Sequence, residues 1–310
     1  MRLIFFGTAS FAVPALRVMA PSICLAVTQP DRPGRRGMRL QPSPVKVAAQ
    51  ELGLEVESPE KSRAPEFVER LRAQSADALL VAAYGQILST AALESAKRGG
   101  INLHGSILPR FRGAAPIQRC ILAGDQETGV SLMQMDKGMD TGDVITIERT
   151  PIGPDETYGE LQDRLATLAA GLAQTWMPKI CAGEYPRSPQ NHEAATMAPK
   201  IEKAEAELSF ARPARREYDR FRAFTPSPGA FLMTRFGLLK IGSARLGTRQ
   251  GPPGVVLNTS DSCLVAFAEG SIELLEVQPE GKRRMTGKDY ANGFRLKAGD
   301  CLVPSGPTSP

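Results

Sequence analysis

Residues 76–85 read ADALLVAAYG. A strand with one wet face alternates apolar and polar residues. This run does not alternate, and a turn residue closes it, which fits a strand buried on both faces. RLIFFG (2–7), ICLAVTQ (23–29) and GINLHG (100–105) have the same form. Helical patterns lie between or beside them: FAVPALRVMA (11–20), SPVKVAAQELG (43–53), APEFVERLRAQ (64–74) and TAALESAKRG (90–99). Strand–helix alternation predicts an α/β domain, a Rossmann-like doubly wound parallel sheet with helices on both faces. Two further strand-like runs, TGVSLMQM (128–135) and GDVITIER (142–149), precede a long helical pattern from Thr157 to about Ala182. The expected domain is 1–183. Its first strand–helix turn, FFGTASF, has Gly7 but no GxGxxG, so no nicotinamide cofactor is indicated.

Residues 184–204 hold several prolines and little periodicity, as a linker does. One helical pattern, ARREYDRFRAF (214–224), then leads into short runs broken by Gly and Pro: GAFLMTRFG, LLKIGSARL, GVVLNTS, CLVAFAEG and SIELLEVQP. These predict a small OB-like β-barrel over 205–302, followed by a flexible tail, 303–310. The 310 residues suffice for two cores. No run is long and apolar enough for a membrane span, and the start lacks a signal-peptide core, so the expected location is cytoplasmic. Five scattered cysteines and two histidines argue against a disulfide framework and against a metal site.

The net charge of +5 is concentrated in RPGRRGMR (32–39), ARPARREYDRFR (211–222) and GKRRMTGK (281–288). Each is either a solvated surface segment or part of a footprint for phosphate.

Chemistry concentrates in INLHGSILPRFRGAAPIQ, 101–118. His104 falls at the carboxyl end of a strand, where α/β sheets place ligand-contacting groups. Asn102, two residues earlier, shares its face. A second polar element, DKGMDTGD (136–143), brings Asp136, Asp140 and Asp143 together. It reads as a turn or as a site, and lacks EF-hand spacing. Asn, His and Asp together suit acyl transfer to an amine. Imidazole and amide can donate to a tetrahedral oxyanion, and a carboxylate orients the imidazole. A core histidine satisfied by an aspartate is the competing reading.

The 101–118 stretch followed by TGVSLMQMDKGMDTGDVI (128–145) closely resembles the formyltransferases that use 10-formyltetrahydrofolate. The resemblance implies that Asn102, His104 and Asp140 are the catalytic trio. It also implies that Tyr84, Gly85, Gln86 and Ile87, with Ser106, Ile107, Leu108 and Pro109, line the folate pocket.

The flanks narrow the branch. QPDRPGRRGMRLQPSPVK (29–46), APKIEKAEAELSF (198–210) and RAFTPSPGAF (222–231) resemble the branch that formylates initiator methionyl-tRNA. That implies tRNA contacts from Arg32, Arg35, Arg36 and Arg39, with Arg36 at the position of a key arginine. Lys200, Lys203, Lys282, Arg283 and Arg284 are the further candidates, and the chain is expected to act as a monomer. The chain departs from that branch in a basic loop one residue shorter, in Phe111 where Trp is common, and in Ser227 in place of a usual Trp. A sugar-nucleotide formyltransferase with the same donor is the alternative, as is a non-catalytic folate- or RNA-binding relative.

Overall fold

The structure, a computed structural model, describes residues 1–33 and 40–304. Arg35, Arg36, Arg39 and the tail beyond 304 lie outside the described residues. The chain forms two compact units. The first comprises Met1–Pro116, Glu127–Pro151 and Gln162–Pro199, and the second Ile117–Gln126, Ile152–Leu161 and Lys200–Pro310. Two short pieces within the range 1–183 therefore group with the second unit.

The first unit is built on β1 (Leu3–Gly7), α1 (Val13–Met19), β2 (Ile23–Val27), a two-residue ribbon of β3 (Arg32–Pro33) and β4 (Leu40–Gln41), α2 (Pro44–Glu51) and β5 (Val56–Glu57). It continues through α3 (Pro65–Ala73), β6 (Ala78–Ala82), α4 (Thr90–Leu93) and β7 (Gly100–His104). After α5 (Pro116–Leu122), which groups with the second unit from Ile117 on, come β8 (Glu127–Gln134), β9 (Val144–Pro151) and α6 (Tyr158–Ala182). The sheet order is β5-β2-β1-β6-β7-β8-β9. The first five strands of that order run parallel, while β8 and β9 are antiparallel additions.

β1 and β6 are buried along their whole length, which is why neither alternates. On one face Ile4, Phe6, Leu25, Val27, Leu79 and Val81 pack with Phe67, Val68 and Leu71 of α3. Helix starts follow local chemistry: Ser43 Oγ accepts from Lys46 N at 3.0 Å, with Pro44 next in the first turn. The helix expected over 90–99 stops at Leu93. Arg98 N instead donates to Asp77 O at 2.8 Å, drawing the chain back toward the sheet.

The second unit holds β10 (Glu207–Leu208), α7 (Ala214–Phe224), β11 (Phe231–Thr234), β12 (Gly237–Gly247) and β13 (Val256–Asn258). β14 (Cys263–Ala266), β15 (Ser271–Pro279), β16 (Met285–Thr286) and α8 (Gly287–Gly293) complete it. Its strand order is β10-β11-β12-β15-β14-β13, with β16 on β15, all antiparallel except the β10–β11 pair. The C-terminal stretch bonds to two segments of this unit: Leu302 N donates to Gly254 O and Leu302 O accepts from Arg235 N, both at 2.8 Å. α5 is held within this unit by Arg119, paired to Glu205 at 2.6 Å. Residues 152–161 are held by Tyr218, which donates to Asp155 at 2.8 Å, and by Arg222, which donates to Gly153 O and Glu156 O at 3.1 and 3.0 Å. No helix among the described residues is long and apolar enough to cross a membrane.

Candidate active site

β7 sets the site. It is hydrogen-bonded to parallel β6 on one side and antiparallel β8 on the other, so its side chains are fixed to opposite faces of the sheet. Asn102 and His104 share a face, with His104 buried and Asn102 half-buried.

The third group arrives from the β8–β9 hairpin, whose loop folds back over the sheet. Gly142 is required there, because a Cβ would stand 2.0 Å from Gln134 O. Asp136 closes a local turn, accepting from Gly138 N at 2.9 Å and Thr141 Oγ1 at 2.7 Å. Asp143 pairs with Arg187 at 3.0 Å. Asp140 is the acid that turns toward β7. Its Oδ1 accepts from Asn102 Nδ2 at 3.2 Å, and its Oδ2 accepts from Gly113 N at 2.9 Å. The same Oδ2 lies 3.5 Å from His104 Nδ1. The trio implied by the family resemblance is thus brought together.

His104 Nε2 stands 2.9 Å from Phe111 O. A carbonyl only accepts, so Nε2 carries hydrogen and Nδ1 is the nitrogen turned to Asp140. At 3.5 Å that contact is longer than a formed hydrogen bond, which leaves Nδ1 able to engage another group. Phe111 and Asp140 both have left-handed backbone, with φ of 60° and 54°. Such a conformation in a non-glycine residue costs on the order of 1–3 kcal/mol and persists where the surroundings impose it. No group of His, Cys, Asp and Glu that could hold a metal occurs among the described residues.

The two expected folate-lining loops leave the carboxyl ends of adjacent parallel strands, β6 and β7. In the first, the Tyr84 ring is in the core, edge-on to Phe6 at 5.1 Å, and burial pushes its hydroxyl pKa up to about 12. Tyr84 O accepts from Thr8 Oγ1 at 2.7 Å and Gln29 Nε2 at 2.8 Å. Gln86 Oε1 accepts from Ser62 N at 3.0 Å. Gly85 is exposed with φ 83°, and Ile87 is 77% exposed. In the second loop, Ser131 Oγ donates to Ser106 O at 2.6 Å and accepts from Leu108 N at 3.1 Å. Ser106 and Leu108 are buried, whereas Ile107 and Pro109 are half-buried.

Of the expected tRNA contacts, exposed Arg32 turns its guanidinium onto Gln29 Oε1. Lys200 and Lys203 are exposed. Lys282 lies over the Phe294 ring at 4.4 Å, Arg283 is exposed, and Arg284 pairs with Glu276 at 2.9 Å. The basic stretch 211–222 is paired internally. Arg215 and Arg222 pair with Asp219 at 2.9 and 2.5 Å, and Arg212 and Arg220 each approach Glu217 at 3.5 Å. Burial lowers the Arg220 pKa. The sequence carried no sign of the Phe111 carbonyl, the Gly113 amide or Gln190, whose Nε2 donates to Asp140 O at 2.9 Å.

Residues 1–176 match the family model described as formyl transferase, and residues 200–295 match that of the formyl transferase C-terminal domain. A methionyl-tRNA formyltransferase of Symbiobacterium thermophilum is 45% identical over 312 residues, covering 98% of this chain and 96% of that one. One of Myxococcus xanthus is 45% identical over 301 residues, covering 96% of each. Among solved structures, an N-formyltransferase of Helicobacter canadensis in complex with folinic acid and dTDP-3-aminofucose superposes with a TM-score of 0.66 at 18% identity, covering 88% of this chain and 98% of that one. HypX of Aquifex aeolicus in complex with tetrahydrofolic acid gives 0.65 at 14% identity, covering 100% of this chain and 50% of that one.

Proposed function

The chain belongs to the formyl transferase family and is a formyl-transferring enzyme, and on that premise we propose that it formylates the amino group of initiator methionyl-tRNA from 10-formyltetrahydrofolate. The observation that carries the chemistry is the convergence of Asn102, His104 and Asp140 at the end of β7. The methionine amine brings its own nucleophile, so the site needs no serine or cysteine.

In this reading the amine lone pair attacks the formyl carbon and the carbonyl π electrons move to oxygen. The second Nδ2 hydrogen of Asn102 and a proton on His104 Nδ1 donate to that oxyanion. Asp140, anchored by Gly113 N, holds Asn102 and His104 and takes part in moving the amine proton. Collapse breaks the bond between carbon and N10, and N10 leaves with a proton as tetrahydrofolate. Gly85 backbone and the apolar surface of Ile87 and Pro109 face the folate ring system. Arg36 and the other cations of the basic loop approach the acceptor end, while Lys200, Lys203, Lys282 and Arg283 hold phosphate elsewhere on the tRNA. We take the enzyme to act as a monomer in the cytoplasm, where initiator tRNA is used.

Several features favour tRNA over an amino-sugar nucleotide. The relatives at 45% identity are named for methionyl-tRNA and span nearly the whole chain, including the C-terminal domain. The test is a formylation assay on the full chain with 10-formyltetrahydrofolate and either charged initiator tRNA or a dTDP-amino sugar. Transfer to tRNA alone is the expected result, and transfer to the sugar alone would overturn the reading.

A further inference from the structure

Residues 188–198 fall within the stretch whose composition is that of a linker. In the structure they are bonded along their length to the two loops that carry the site. Ser188 and Val144 exchange both backbone hydrogen bonds at 2.9 Å. Gln190 Nε2 donates to Asp140 O at 2.9 Å and Gly142 O at 2.7 Å. Gln190 Oε1 accepts from Arg112 Nε at 3.1 Å and Nη2 at 2.7 Å. His192 Nδ1 accepts from the same guanidinium at 3.2 Å. Farther on, Thr196 Oγ1 accepts from Phe111 N at 2.9 Å, and Ala198 N donates to Arg112 O at 2.7 Å.

We infer that Gln190 is a positioning residue for the formyl-transfer site, joining the loop that carries Asp140 to the loop that carries Phe111 and Gly113. This rests on the reading of Asp140 as one of the catalytic trio.

The argument is one of geometry and burial. Gln190 and Arg112 are 8% and 5% exposed. A glutamine buried in this way must satisfy both ends of its amide, and each end faces a different loop. The Nε2 end holds the carbonyl of a residue whose own φ is 54°. Without that hold the peptide that follows Asp140 is free to rotate, and the carboxylate can shift relative to Asn102 and His104. The Oε1 end fixes Arg112, which lies between Phe111, whose carbonyl binds His104, and Gly113, whose amide binds Asp140. Gln190 therefore bonds to neither Asn102 nor His104 but sets the distance between the elements that do. Misplacing a reacting group by about 1 Å can cost on the order of a hundredfold in rate.

Gln190→Glu is the discriminating variant. A carboxylate there keeps an acceptor, now charged, for Arg112, so the loop and strap remain stapled. It has no hydrogen to give to Asp140 O and Gly142 O. The expected result on the full chain is a kcat lowered about tenfold or more. KM for charged tRNA and for 10-formyltetrahydrofolate should stay within about twofold, and kcat is taken per folded molecule, because a carboxylate oxygen facing two carbonyl oxygens lowers the thermal midpoint. Gln190→Met, of similar size but without either hydrogen-bonding end, should lower kcat at least as far. If Gln190→Glu folds and keeps full kcat, the proposal is overturned. If only the thermal midpoint falls, with kcat per folded molecule unchanged, Gln190 is merely structural and the proposal is also overturned. Asp140→Ala is measured in parallel. Full activity in that variant would sink the reading of the trio itself, a failure distinct from that of Gln190.

Discussion

At the scale of single residues, the proposed site brings three side chains within hydrogen-bond or ion-pair distance: Asn102, His104 and Asp140. Alanine at any of the three should lower kcat by about a hundredfold or more, the magnitude expected for oxyanion and proton-transfer groups. Steady-state kinetics on folded variants check this, and near-normal turnover in His104→Ala would remove the histidine from the chemistry. Asn102 and His104 were legible as partners in the sequence, because period two in a strand fixes their common face. Asp140 was not separable from Asp136 and Asp143 by spacing. Its selection depends on Asp136 being spent on its own turn and on the Gly113 amide fixing the carboxylate. The Phe111 carbonyl that sets the His104 tautomer is backbone, which residue type does not reveal.

At the scale of elements, the basic loop and the ion pair that holds α5 make separate predictions. Arg36→Ala should severely reduce kcat/KM for charged tRNA while leaving the folate Kd nearly unchanged. It should also flatten the logarithmic salt dependence of tRNA affinity by roughly one unit. Parallel kinetics and folate titration decide this, and full activity in the variant would reduce Arg36 to a solvated charge. Glu205 accepts a hydrogen bond from Arg119, which holds its carboxyl below the ordinary value of 4.5. A lowered carboxyl stabilises the fold above its unfolded pKa, and the contribution fades as pH falls through the lower folded value. Glu205→Gln should therefore be less stable than wild type near neutral pH, with the difference shrinking below about 4.5. Urea titrations at pH 7 and pH 3.5 measure it, and an equal difference at both would contradict the assignment. The α7 arginines show the limit of reading charge from sequence. Charge counted along the run does not show that Arg212, Arg215, Arg220 and Arg222 pair with Glu217 and Asp219.

At the scale of the whole molecule, the two units are not two consecutive lengths of chain. Residues 117–126 and 152–161 take their partners from beyond residue 199, through Arg119–Glu205, Asp155–Tyr218 and the carbonyls bound by Arg222. A chain ended after Pro199 should unfold at a lower temperature and less cooperatively than the full chain, because those partners are gone. Calorimetry would show this, and an unchanged midpoint would mean that the removed bonds contribute nothing. The sequence by itself determined four strands of the parallel sheet, β1, β2, β6 and β7, the shared face of Asn102 and His104, and the β-rich second half. Each follows from local periodicity and turn chemistry within a few residues. Only the tertiary structure decided that β8 and β9 run antiparallel, that 188–198 lies along the site, and which pieces complete the second unit. Those depend on contacts between residues tens of positions apart, such as Gln190 with Asp140 and Arg222 with Gly153, where closure of the chain, not local pattern, selects the partner.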